Sequence, residues 1–320
     1  MYPAKRIILT MGAIAAVAVC GACSGSSQSN GGGNGTSLVV KSSPSITAIP
    51  TLQSSDTITL PIDAYLPTSQ EAAAITNASN ISIAQCAKQF GVDFPFTMTS
   101  AITTLTDHSN LAGITSLTEA QEYGYVGPPG SQSGAGGSAQ AAGSSLSPAQ
   151  SSVITGWPNG QVGFTSPPVG LTYDGKTIPT GGCRASADSA LGIPSGFNFL
   201  QPNLARSVSD STYNQSQADL RVVAVFAKWS SCMAAKGFTY ATPWTANDKS
   251  WANPASSDEI ATAVADVECK QQVNVVGVTV AVLDAYQNTA IQQNIAGLTS
   301  DKKEIDAIAA KAATVVASYQ

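Results

Sequence analysis

Charge and histidine are what this sequence has least of. Charged residues make up 11% of its 320 positions, against about a quarter in ordinary globular proteins, and His108 is its only histidine. Lys and Arg total 15 against 20 Asp and Glu. The chain therefore has no cation surplus to exchange for the counterions of a nucleic acid, and no nucleic-acid partner is expected. A Ser-His-Asp or Cys-His mechanism would have to use His108, which lies in Thr106-Asp107-His108-Ser109-Asn110 and reads as a solvated loop residue. No GxSxG segment accompanies it. Outside the leader, which carries Cys20-Gly21-Ala22-Cys23, no CxxC spacing occurs, so with a single histidine the common zinc sites are not expected in the body, and no metal or cofactor is expected. Ser300-Asp301-Lys302-Lys303 fits SxxK, but it stands at a helix start with no KTG downstream and reads as a cap. Long apolar runs are scarce in the body: the Val-rich segment from Val273 to Leu283 is interrupted by Asn274 and Thr279 and is too short to span a bilayer. These absences favour a non-enzymatic protein.

What is present begins with a leader. Lys5 and Arg6, the apolar run Ile7 to Val19 and then Gly21-Ala22-Cys23 follow the order of a secretory signal. The small residues before Cys23 resemble the lipobox of bacterial lipoproteins, in which the cysteine is diacylated and becomes the new N-terminus; Cys20 stands where such boxes usually carry Leu. The expectation is a lipoprotein signal peptide over 1–22 and a lipid anchor on Cys23, with ordinary secretion after Ala22 as the alternative. Either route places the mature chain outside the cytoplasm, and the anchored form at the outer face of the cell membrane. Loss of Lys5 and Arg6 makes the net charge of -5 more negative by two.

Residues 23–56 are rich in Ser, Gly, Asn and Thr and read as a flexible tether, because such a stretch buries too little apolar surface to offset its ordering entropy. Residues 57–320 read as one mainly helical globular domain with a small β-hairpin, interrupted by a low-complexity loop at about 127–143. Thr68-Ser69-Gln70-Glu71 and Ser116-Leu117-Thr118-Glu119 are capping boxes, and Ser147-Pro148 opens a short helix. Val222, Phe226, Trp229 and Met233 recur at helical spacing on a helix expected from about Ser216, with Gly237 as its end. A helix from Ser256 is expected to continue through the Val-rich run to about Ala296. There Gly297 breaks it, and a last helix from Ser300 to Ser318 completes a C-terminal helical hairpin.

Two patterns invite functional readings. Gly170 to Thr177 satisfies GxxxxGK[ST], yet Pro167 and Pro168 precede it, Pro179 follows, and Asp174-Gly175 is a strong type I′ turn signal; a hairpin is expected and no nucleotide. Trp244 and Trp251 lie in a polar, proline-containing run and could stack on sugars; covering a satellite core is the competing reading.

Four cysteines remain in the body, and three pairings are possible. Cys232 with Cys269 is favoured because successive helices can set them face to face, which leaves Cys86 with Cys183. Trp229-Ser230-Ser231-Cys232-Met233 with Lys236-Gly237, and Ala265-Asp266 through Cys269-Lys270, resemble a pattern in uncharacterised secreted and lipoprotein-type proteins of actinobacteria. The resemblance implies no activity; it supports that cysteine pairing and a cell-envelope location, with a wall component or envelope protein as partner. The functional expectation is a non-enzymatic binding or structural module. A carboxylate-based hydrolase of wall glycans is the alternative, since two carboxylates can cleave glycosides without histidine, although no pair stands out among the scattered Asp and Glu.

Overall fold

The computed structural model describes residues 38–55, 58–128, 146–163 and 166–319. The expected signal peptide, Cys23 and nearly all of the low-complexity loop lie outside these residues. Among the described residues the chain is mainly helical. The helices are α1 (Ser69–Lys88), α2 (Leu117–Tyr123), α3 (Pro148–Thr155), α4 (Gly182–Leu191), α5 (Asn203–Gln217), α6 (Leu220–Ala235), α7 (Pro243–Asn247), α8 (Ser257–Val273) and α9 (Val275–Tyr319). One hairpin, β1 (Thr172–Tyr173) and β2 (Lys176–Thr177), precedes α4.

Local chemistry sets the helix starts. At α1 the Thr68 hydroxyl accepts from Glu71 N–H at 3.1 Å while the Glu71 carboxylate accepts from Thr68 N–H at 2.8 Å, which satisfies two amides that the helix leaves unpaired. Ser147 and Gln150 repeat the arrangement at α3. In the hairpin Thr172 pairs with Thr177 and Tyr173 with Lys176. Asp174 and Gly175 both have positive φ, 48° and 73°, as a type I′ turn demands. The GxxxxGK[ST] segment is therefore a hairpin and not a phosphate loop.

The longest helix, α9, packs against α1, α5, α6, α8 and the 3-10 turn Pro61–Tyr65. Its N-terminal half joins α6 and α8 in the main core, where Val222, Trp229 and Met233 are fully buried and Phe226 is 8% exposed. Its C-terminal half meets α1 and α4 through Ile305, Ile308 and Ala312 against Ile75 and Leu191. A further cluster under α3 holds Ile83, Phe90, Val153, Ile154 and Ile178. Here α3 and α4 touch at glycine: a Cβ on Gly182 would lie 2.4 Å from the carbonyl oxygen of Ile154, and one on Gly156 2.3 Å from Gly182 N. Separately, α4 packs along α1, which brings Cys183 to Cys86. Two disulfides result, Cys86–Cys183 with Cα atoms 5.6 Å apart and Cys232–Cys269 with 5.7 Å.

Three expectations are corrected. The central helix begins at Leu220 rather than Ser216, capped by Asp219, whose carboxylate accepts from Arg221 N–H at 2.9 Å. Ser216 belongs to the last turn of α5, a helix whose polar sequence hid it. The C-terminal helical hairpin broken at Gly297 is absent, because α9 runs unbroken through that position for 45 residues. Gly297 serves a close approach, since a Cβ there would meet the Leu204 side chain of α5 at 2.6 Å. The break lies instead at Asn274, in the left-handed region at φ 59° between α8 and α9.

The third correction concerns the tether, whose described part, residues 38–55, is largely exposed but anchored to the helices at several points. Val40 is 8% exposed in the main core and its N–H donates to Gln215 Oε1 at 2.8 Å. Leu52 N–H donates to Asn274 Oδ1 at 3.1 Å, and Asn274 Nδ2 donates to the Pro50 carbonyl at 2.9 Å. Val40, Ile46 and Leu52 supply the apolar anchors that the overall composition of the stretch obscures.

Candidate functional site

The residues that carry the sequence pattern meet in one buried knot. Trp229 Nε1–H donates to Asp266 Oδ1 at 2.9 Å, and Tyr125 O–H donates to Asp266 Oδ2 at 3.1 Å. Lys270 Nζ donates to Asp266 Oδ2 and to the Ile114 carbonyl, both at 2.9 Å. The Asp266 and Lys270 side chains are 0% and 1% exposed. Burial pushes the Asp266 carboxyl up and the Lys270 ammonium down, and the attraction between them opposes both shifts. Beside the knot, Cys232–Cys269 ties α6 to α8. Burial, and secondarily Asp266, holds the Tyr125 phenol far above its usual range. Such a closed assembly admits no substrate; it fastens the segment 114–125 and α6 onto α8.

Trp244 and Trp251 are both half-buried. Trp244 sits in α7 and donates its indole N–H to Gln217 Oε1 at 3.1 Å. Trp251 donates to the Ala246 carbonyl at 2.9 Å, and its ring stacks on Tyr125 with centroids 5.4 Å apart and an interplanar angle of 13°. The Lys249 ammonium lies 4.2 Å from the same ring. Both polar handles are thus used internally, an arrangement that suits cover over the knot better than an open sugar platform.

His108 departs from its reading as a solvated residue. Its side chain is 16% exposed and its Nε2 lies 2.9 Å from Asp63 Oδ2, itself on a side chain 7% exposed. The same oxygen accepts from Leu60 N–H at 2.8 Å, so Asp63 caps the 3-10 turn and clamps the His108 loop. Near them burial, with Asp63 adding to it and His108 opposing, raises the Asp284 carboxyl to about 6. Asp284 Oδ1 is buried with no hydrogen-bond partner. Sequence could not bring these together, because 45 residues separate Asp63 from His108 and Asp284 lies on another helix. Among the described residues no hydroxyl or thiol is hydrogen-bonded to the imidazole, whose contact is with Asp63. The cleft beside His108 measures about 120 Å³, well below the roughly 300 to 1,000 Å³ of small-molecule sites.

Larger clefts lie elsewhere among the described residues, two of them lined with aromatic rings. One, of about 610 Å³, lies between the ends of α1 and α9 and is edged by Phe94, Phe96 and Tyr319. The other, of about 500 Å³, lies between α1, α4 and the segment 193–200, and mixes Asn80, Arg184 and Asp188 with Phe197 and Phe199. Among the described residues no group of three or more His, Cys, Asp or Glu is placed to hold a metal ion. All four body cysteines are bridged, so none offers a thiolate.

No protein-family model, no curated protein and no solved structure matches the chain.

Proposed function

We propose that the protein is a non-enzymatic binding module of the cell envelope, held at the outer face of the membrane by a lipid on Cys23. The observation that carries this reading is the closure of the Trp229–Asp266–Lys270 knot: the most chemically endowed cluster in the chain is 0 to 1% exposed at its ion pair and is spent on architecture. What is left at the surface is binding ground, in the form of aromatic-edged clefts. Two disulfides suit an oxidising, extracytoplasmic compartment. Among the described residues no helix is long and apolar enough to cross a membrane, so attachment falls to the leader cysteine. The partner is a wall component or another envelope protein.

A hydrolase of wall glycans is the second reading. It draws on one observation, the Asp284 carboxyl raised to about 6 near Asp63, since glycoside cleavage needs one carboxyl that holds its proton near neutral pH and a second close by. Against it stand the small cleft and the clamp that His108 and Leu60 place on Asp63. Incubating the native protein with labelled wall glycan separates the two: retention without soluble products supports the module, and product release abolished by Asp284→Asn supports the enzyme.

A further inference from the structure

The cleft between α1, α4 and the segment 193–200 holds polar groups that the fold leaves unused. We infer that it is a saccharide-binding site, taking a neutral polyhydroxylated ring through Asp188, Arg184 and Asn80 with Phe197 and Phe199 as its apolar border. The inference rests on the reading of the protein as a binding module and names its ligand class.

Asp188 is half-buried on α4, yet its carboxylate makes no hydrogen bond to any described residue. Burial is the main influence on it, raising its pKa, and Arg184 only partly offsets that. The carboxylate is only partly shielded and lines an open cleft, so its acceptor positions are available to donors that enter that cleft. Hydroxyl groups of a ligand are such donors. Arg184, one turn earlier on the same helix, is exposed and forms no ion pair within 4.0 Å, so its five N–H donors are free for ring and hydroxyl oxygens. Asn80 of α1, half-buried across the cleft, is likewise without a hydrogen bond among the described residues.

Charge and shape narrow the class. One anion and one cation line the cleft, which disfavours a phosphate or a polyamine, each of which needs an excess of one sign. Half-buried Phe197 and Phe199 offer apolar surface to the C–H faces of a sugar, while the interspersed polar groups disfavour an amphipathic helix, which requires a continuous apolar groove. A volume of about 500 Å³ falls within the usual range for small-molecule sites and admits roughly one or two pyranose rings. The tryptophans that the sequence offers for this task are occupied elsewhere.

The test uses the full chain, with co-sedimentation on insoluble wall glycan in one arm and calorimetric titration with soluble oligosaccharides released from that glycan in the other. The wild type is expected to bind in at least one arm; binding only to the insoluble material identifies the polymer as the source, and binding to fragments identifies short sugars. Asp188→Asn and Arg184→Ala, which break no internal bond, are each expected to weaken binding at least tenfold while leaving the circular dichroism spectrum unchanged. Glycan binding that survives both substitutions would overturn this site and leave the binding-module reading standing. Absence of binding in both arms by folded wild type would overturn the saccharide assignment alone. New reducing ends released from the glycan would overturn both the inference and the reading beneath it.

Discussion

Lys270 holds the knot together at the scale of single residues. Its ammonium bonds to Asp266 and to the Ile114 carbonyl inside a site that water does not reach. Lys270→Met leaves the Asp266 carboxylate buried without its counter-charge, which is expected to cost about 3 to 5 kcal/mol in urea denaturation. Adding Asp266→Asn removes the stranded charge while keeping an acceptor for Trp229, so the double variant is expected to be more stable than Lys270→Met alone; equal or lower stability would show that charge isolation is not the source of the cost. Asp284 behaves in the opposite sense. Its folded pKa of about 6 lies above the ordinary value of 3.8, so the stability it contributes is full below pH 3.8 and is lost as pH rises through about 6. Asp284→Asn is expected to stabilise the protein at pH 7.5 by about 1 kcal/mol, after allowance for solvent screening, with the difference vanishing near pH 4. Thermal melts at the two pH values check both sign and window. Asp219 is the counter-example: hydrogen bonds from Arg221, helped by Ser43 and opposed by burial, hold its carboxyl well below the usual range, and that stability is lost only as pH falls below 3.8.

At the scale of elements, Asn274 decides how the C-terminal third is arranged. Its left-handed backbone ends α8, and its side chain bonds Leu52 N–H and the Pro50 carbonyl, fixing the segment 38–55 to the bundle. Asn274→Ala is expected to cost about 2 to 3 kcal/mol, from two lost hydrogen bonds and an unfavourable φ. Asn274→Gly relieves the φ alone and should recover a part of that. Limited proteolysis should show earlier cleavage within 38–55 in both variants; equal protection to wild type would contradict the role of the side chain. What was legible in the sequence follows the same division between local and distant causes. Thr68 with Glu71, Ser147-Pro148, Asp174-Gly175 and the Val222–Met233 stripe act within a few residues, and each marks an element that the fold contains, the last with its start at Leu220. Helix α5 was not legible, because Arg206, Ser207, Ser209, Asp210 and Ser211 give a polar run in which Ala205, Val208, Thr212 and Ser216 are the buried positions. Gly297 misled because a glycine in a helix signals a break unless a neighbour, here Leu204, needs the space. The pairing of His108 with Asp63 and the α1–α4 cleft arise from tertiary contact between distant segments, for which no periodicity exists to read.

At the scale of the whole molecule, the disulfides close the long connections between layers. The bridge Cys86–Cys183 spans 97 residues and Cys232–Cys269 spans 37, for which chain-entropy arguments give about 5 and about 4 kcal/mol. Paired Cys→Ser substitutions should therefore lower Tm in both cases, more for the first pair, as calorimetry in the absence of reductant can measure. A protein stabilised in this way suits a compartment where thiols stay oxidised, which links the fold to an extracytoplasmic location. Intact mass with non-reducing peptide mapping of the protein from its native membrane fraction tests that link most directly. The account predicts a diacylglyceryl group on Cys23 with Cys86–Cys183 and Cys232–Cys269 both closed. An unlipidated chain, or a free thiol at Cys183 or Cys232, would contradict it.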